Sequence, residues 1–297
     1  MSKIKLNKVE FYITNVCNLT CAECNRYNNY DFKGWQRWSD YSAIYQRWSE
    51  LLEINHVVIM GGEPLLNSTI CDWALGLKKL KFTNAAIQIL SNGTRINHVP
   101  NLYQTLSNPS NSWLGITIHN HDEMDSIMYE IETFLQAPVK KLVGPENNRF
   151  GAPYCFVDNN RVEIPIWIGT DFVKSAIVRN GDKLTLHNSD PIAAHGICNF
   201  ALSKNYHFIK GKLYKCGPVA LLPEFDQQLG LDISDQDRDL LNSYKPLTLE
   251  NFESYHKEFF DHLDNPIPQC KFCPSQSDNY KIWAIRKGKD PVKIAST

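Results

Sequence analysis

Val9-Glu-Phe-Tyr-Ile-Thr-Asn-Val-Cys17-Asn-Leu-Thr-Cys21-Ala-Glu-Cys24 is the stretch on which the fold turns. Val9–Thr14 is rich in β-branched and aromatic residues and reads as a strand. A loop with the spacing C-x3-C-x2-C follows it. Three thiolates on one short loop can hold three irons of a cubane [4Fe–4S] cluster and leave the fourth iron without a protein ligand. A closed structural site would recruit a fourth thiolate or imidazole close by. The spacing therefore points to an iron left open for chemistry.

Working outward, the strand-like run His56–Met60 ends in Gly61-Gly62-Glu63-Pro64. A third run, Ala86–Leu90, ends in Ser91-Asn92-Gly93. A fourth, Trp113–His119, continues the series, with helices expected at about 39–53 and 122–136 between strands. Ser39 is the expected N-cap of the first helix. Further strands are expected near 140–143 and 161–168.

The cysteine triad, the Gly-Gly-Glu-Pro and the Ser-Asn-Gly, each after a strand and in this order, resemble the radical S-adenosylmethionine (SAM) enzymes over roughly residues 8–120. The resemblance implies an α/β fold, a partial (β/α)6 TIM-like barrel with its site at the C-terminal ends of the strands. It implies that Cys17, Cys21 and Cys24 hold a [4Fe–4S] cluster whose open iron takes SAM. Gly61 and Gly62 would let the backbone approach the ligand. Glu63 would help receive the SAM amino group, largely through backbone oxygens, and Pro64 would fix the turn. Ser91 and Asn92 would contact the ribose or carboxylate. Reductive cleavage of SAM would then give a 5′-deoxyadenosyl radical that takes hydrogen from a substrate. A flavodoxin- or ferredoxin-type reductant would supply the electron. Most members carry an aromatic residue before the third cysteine. Glu23 stands there in this chain, and Tyr27 and Tyr30 are the candidate replacements for an adenine contact.

Composition agrees with this class. The 297 residues, 43% of them hydrophobic, suffice for a sizeable core. Lysine and arginine number 31 against 32 acidic residues, so the net charge of -1 gives no reason to expect nucleic acid as a partner. No signal peptide or membrane span is legible, which suggests a cytoplasmic protein. In that setting nine cysteines are expected to be metal ligands rather than a disulfide framework.

A second constellation lies downstream: Cys198, Cys216 and the knuckle Cys270-x-x-Cys273. Tyr206–Lys215 reads as a hairpin around Lys210-Gly211, ending at Cys216. A four-cysteine zinc ribbon uses similar knuckles, and spacing alone does not separate it from an Fe–S cluster. The pattern is also similar to the auxiliary-cluster extensions called SPASM and twitch, the shorter twitch form fitting better. This divides the chain into a core, 1–190, and a small α+β auxiliary-cluster (twitch) domain, 191–297. Cys71 and Cys155 read as buried small hydrophobes. The last ten residues are basic and read as a frayed end.

The organisation resembles that of radical SAM dehydrogenases acting on aminocyclitols. That resemblance implies a small polar substrate and an auxiliary cluster that accepts an electron. Modification of a peptide or protein is an alternative. A non-catalytic zinc-binding protein is another. Three histidines are candidate bases: His119 at a strand end, and His187 and His195 ahead of the second cysteine set. Each equally suits an ordinary hydrogen-bonded role.

Overall fold

The structure is a computed structural model that describes residues 3–173, 175–276, 279–281 and 284–286. The chain opens with β1 (Ile4–Tyr12), the short β2 (Leu19–Cys21), α1 (Trp38–Leu51) and β3 (Leu52–Met60). Then come α2 (Ile70–Lys79), β4 (Ile87–Ser91), α3 (Leu102–Leu106), β5 (Ser112–Ile118) and α4 (Met124–Phe134). Strands β6 (Lys140–Val143), β7 (Tyr154–Val157), β8 (Glu163–Ile168) and β9 (Asp171–Val173) follow, then the hairpin β10 (Ile177–Asn180) and β11 (Lys183–Leu186). The remainder comprises α5 (Pro191–Gly196), α6 (Asn199–Leu202), β12 (Asn205–Ile209) and β13 (Lys212–Tyr214). After them lie α7 (Gly217–Leu229), α8 (Asp235–Asn242), α9 (Phe252–Asp264), β14 (Asn279–Lys281) and β15 (Ala284–Arg286).

One 9-stranded sheet organises these elements, in the order β13-β12-β1-β3-β4-β5-β8-β7-β6. The central strands β12, β1, β3, β4, β5 and β8 run parallel. Antiparallel pairs close both margins. The two-residue period of a strand sorts the side chains of β1. Val9 and Phe11 enter the core under the helices. Lys8 and Glu10 alternate with them and face a cavity on the other side of the sheet. The helix-side core is aromatic: Tyr45 and Trp48 of α1, Trp73 of α2 and Phe208 of β12 are buried together. Trp48 and Phe208 meet edge to face at 5.3 Å.

Three sequence expectations change here. Helix α1 begins at Trp38 with Arg37 at the N-cap position, and Ser39 lies inside it, donating to the Asp40 carboxylate. The strand–helix alternation stops after α4. Residues 144–153 and 158–162 are too short for the dozen or more residues of a parallel crossover, so β6, β7 and β8 form an antiparallel meander. Only β8 of these returns to pair parallel, with β5. The sheet also crosses the boundary drawn at 190/191, because the 205–214 hairpin lies beside β1. Its turn residues Lys210 and Gly211 both have positive φ, as a two-residue hairpin loop requires. Strand β15 pairs with β2, inside the first cysteine loop. The basic tail lies outside the described residues. Among the described residues no helix is long and apolar enough to cross a membrane.

Because Phe208 is fully buried between β1 and α1, Phe208→Ala is expected to cost about 3–5 kcal/mol. Urea unfolding should remain one transition, whereas an independently folded segment after residue 190 would leave two.

Candidate active site

A cavity of about 440 Å³ opens at the C-terminal ends of β1, β3, β4 and β5. Cys17, Cys21 and Cys24 border it, together with Gly61, Gly62, Ser91, Asn92 and His119. The glycines serve a contact that sequence did not foresee. A Cβ on Gly61 would run into the Thr14 backbone, and one on Gly62 into Val16 and Cys17. The amide of Gly62 donates to Thr14 O and that of Glu63 to Val16 O, both at 2.8 Å. Absent side chains thus let β3 clamp the root of the cysteine loop.

Glu63 is fully buried and its carboxylate turns inward. It accepts from Leu65 N at 2.9 Å, Ser91 Oγ at 2.7 Å and Asn92 N at 2.7 Å. Its side chain therefore ties β3 to β4, and Pro64 starts the single 3-10 turn that follows. Burial pushes the Glu63 carboxyl up to about 7, against the pull of these donors. Asn92 donates to Asn18 Oδ1 at 3.0 Å, and Asn18 donates to Thr94 Oγ1 at 2.7 Å. Thr94 closes the ring by donating to Asn92 Oδ1 at 2.6 Å. Asn18 and Thr94 were not singled out in the sequence. Their adjacency to Cys17 and to Ser91-Asn92-Gly93 was the available signal.

The donor set suits a polynuclear iron centre. The three thiols are free. Burial, then the Glu63 charge, pushes the Cys17 thiol far up. Thiolates crowded in such a site need a cationic metal core to offset them. Residues 11–148 match the family model of the Radical SAM superfamily. This stretch, just under half of the chain, is similar to the radical SAM domains. The family implies an enzyme with a SAM-binding [4Fe–4S] cluster. No curated protein matches the chain.

Polar side chains make up much of the remaining cavity lining. Lys8, Glu10, Arg26, Asn205 and Thr117 are among them. Glu10 accepts from Asn205 Nδ2 at 2.6 Å, lies 2.8 Å from His207 Nε2 and pairs with Arg26. Burial alone would raise the Glu10 carboxyl; the Arg26 guanidinium, His207 and Lys8 together outweigh it and hold it well below the usual range. Of the three histidines, His119 alone reaches this cavity, and burial lowers its imidazole to about 4. His187 sits 3.1 Å from Ser175 O, and His195 3.2 Å from Leu263 O, away from the cavity wall. Glu23, in place of the family's aromatic residue, accepts from Ser175 N at 2.8 Å and so anchors the cysteine loop. Tyr27 is buried against Phe225, and Tyr30 packs on the same ring.

A second cavity, of about 130 Å³, gathers Cys198, Cys216, Cys270 and Cys273. Burial pushes the Cys216 thiol up to about 12, with the neighbouring Cys198 adding to it. Asn25, Asn199 and Phe200 border both cavities.

Gly62→Ala should leave the far-UV circular dichroism intact while iron loading at the first triad falls at least tenfold, read by metal analysis. For Glu63 the folded value lies above the usual 4.5, so its contribution to stability is present below pH 4.5 and fades as pH rises through 7. Glu63→Gln is expected to flatten this fall, on the order of 3 kcal/mol, in urea titrations across that window.

Proposed function

We propose that the protein is a radical SAM oxidoreductase that acts on a small polar substrate, working as a dehydrogenase with a second [4Fe–4S] cluster as electron acceptor. The observation that carries this reading is one cavity lined both by the thiol triad with Gly61, Gly62, Ser91 and Asn92 and by the polar side chains of Lys8, Glu10 and Asn205. Its parallel strands support a partial (β/α)6 barrel, and the four gathered thiols support a twitch-like auxiliary part.

When bound, a SAM-ligated cluster supplies a radical that takes a hydrogen atom, and a fully ligated cluster supplies an acceptor for the remaining electron. Cys17, Cys21 and Cys24 would hold the first, and Cys198, Cys216, Cys270 and Cys273 the second. His119 borders the cavity and is held neutral by burial, and it is the candidate acceptor for a substrate hydroxyl proton. Lys8, Glu10 and Asn205 would orient hydroxyl or amino groups. A volume of about 440 Å³, shared with cofactor, favours a small molecule over a peptide segment. The electron donor is proposed to be of flavodoxin or ferredoxin type.

Anaerobic reconstitution should give a brown protein with about eight irons per chain. Dithionite and SAM should then yield 5′-deoxyadenosine. Replacing Cys17, Cys21 and Cys24 with alanine should abolish that product. A colourless protein that takes up zinc and no iron would sink the proposal. Cys216→Ala should retain SAM cleavage and lose substrate turnover.

A further inference from the structure

The second cavity contains one feature that its thiols do not explain. Lys215 precedes Cys216 and is only 2% exposed. It is the only charged side chain among the described residues that border this cavity. Its ammonium donates to His262 O and, at 2.7 Å, to Asn265 O. These carbonyls lie at the C-terminal end of α9, where unpaired carbonyl oxygens carry partial negative charge. The backbone is pinned as well: Lys215 N donates to Tyr244 Oη at 2.9 Å, and Tyr244 stacks on Tyr214. Burying an ammonium is expensive, and two carbonyls offset only part of that cost. An anionic neighbour would offset the rest.

We propose that Lys215 sets the reduction potential of a cluster held by Cys198, Cys216, Cys270 and Cys273. The inference rests on the two-cluster reading above. A cluster with four thiolate ligands is anionic and gains a further negative charge on reduction. A fixed cation beside it favours the reduced form, and more strongly where water is excluded. Lys215 thus raises the potential and makes the cluster a better electron acceptor. Its role is positioning of charge; it takes no part in bond breaking.

The test uses the full chain with Cys17, Cys21 and Cys24 replaced by alanine, so that only the second site loads. Lys215→Met and Lys215→Arg are built in that background, reconstituted anaerobically, and titrated potentiometrically with paramagnetic resonance detection. The parent should hold about four irons. Lys215→Met should lower the potential by at least a tenfold change in the one-electron equilibrium, about 59 mV, while Lys215→Arg stays near the parent. An unchanged potential in Lys215→Met with iron retained overturns the proposal. Iron content and melting temperature are read for both variants as well. If iron is lost while the cluster-free variant melts like the parent, and Lys215→Arg keeps its iron, the charge requirement stands. If Lys215→Met loses iron and melting temperature together, or if both variants lose iron, the lysine only caps α9 and the proposal falls. A parent without iron would instead sink the two-cluster reading itself.

Discussion

The site depends on a backbone-to-backbone contact. Where β3 ends, Gly61 and Gly62 press against Thr14 and Val16, and two amide hydrogen bonds of 2.8 Å lock the junction. Every other part of the site is referred to this seam. The cysteine loop leaves from it on one side. On the other, the Glu63 carboxylate reaches Ser91 Oγ and the Asn92 amide and so fixes the end of β4. Three consecutive parallel strands are thereby held in register at the ends that face the cavity.

The division of labour across the sheet follows from strand geometry. One face of β1 sends Val9 and Phe11 into an aromatic core with Tyr45, Trp73 and Phe208, which makes the platform rigid. The other face sends Lys8 and Glu10 toward the cavity. A buried charge there is tolerated because Arg26, Asn205 and His207 converge on the Glu10 carboxylate. Alternation along a single strand thus supplies both the support for the site and its polar lining.

Much of this was legible in the sequence because it is local. The cysteine loop, the Gly-Gly-Glu-Pro turn and the Ser-Asn-Gly turn each follow a run of β-branched residues, and each lies at a strand end in the fold. The Lys210-Gly211 hairpin was legible for the same reason. What escaped was long-range. Nothing near Gly62 announces that Val16 will lie against it. Asn18 and Thr94 are separated by 76 positions, yet hydrogen-bond directly. The meander of β6, β7 and β8 was missed because apolar runs do not reveal strand direction; connection length does. His187 and His195 carried the same chemical promise as His119, and only the sheet topology separates them.

The pairing of β15 with β2 has a temporal meaning. Ala284 lies opposite Cys21, and Thr20 Oγ1 donates to Ile285 O at 3.0 Å. During synthesis the thiol loop emerges early and waits, with an open edge, for a strand encoded far downstream. A chain halted before residue 284 would lack the strand that completes this edge.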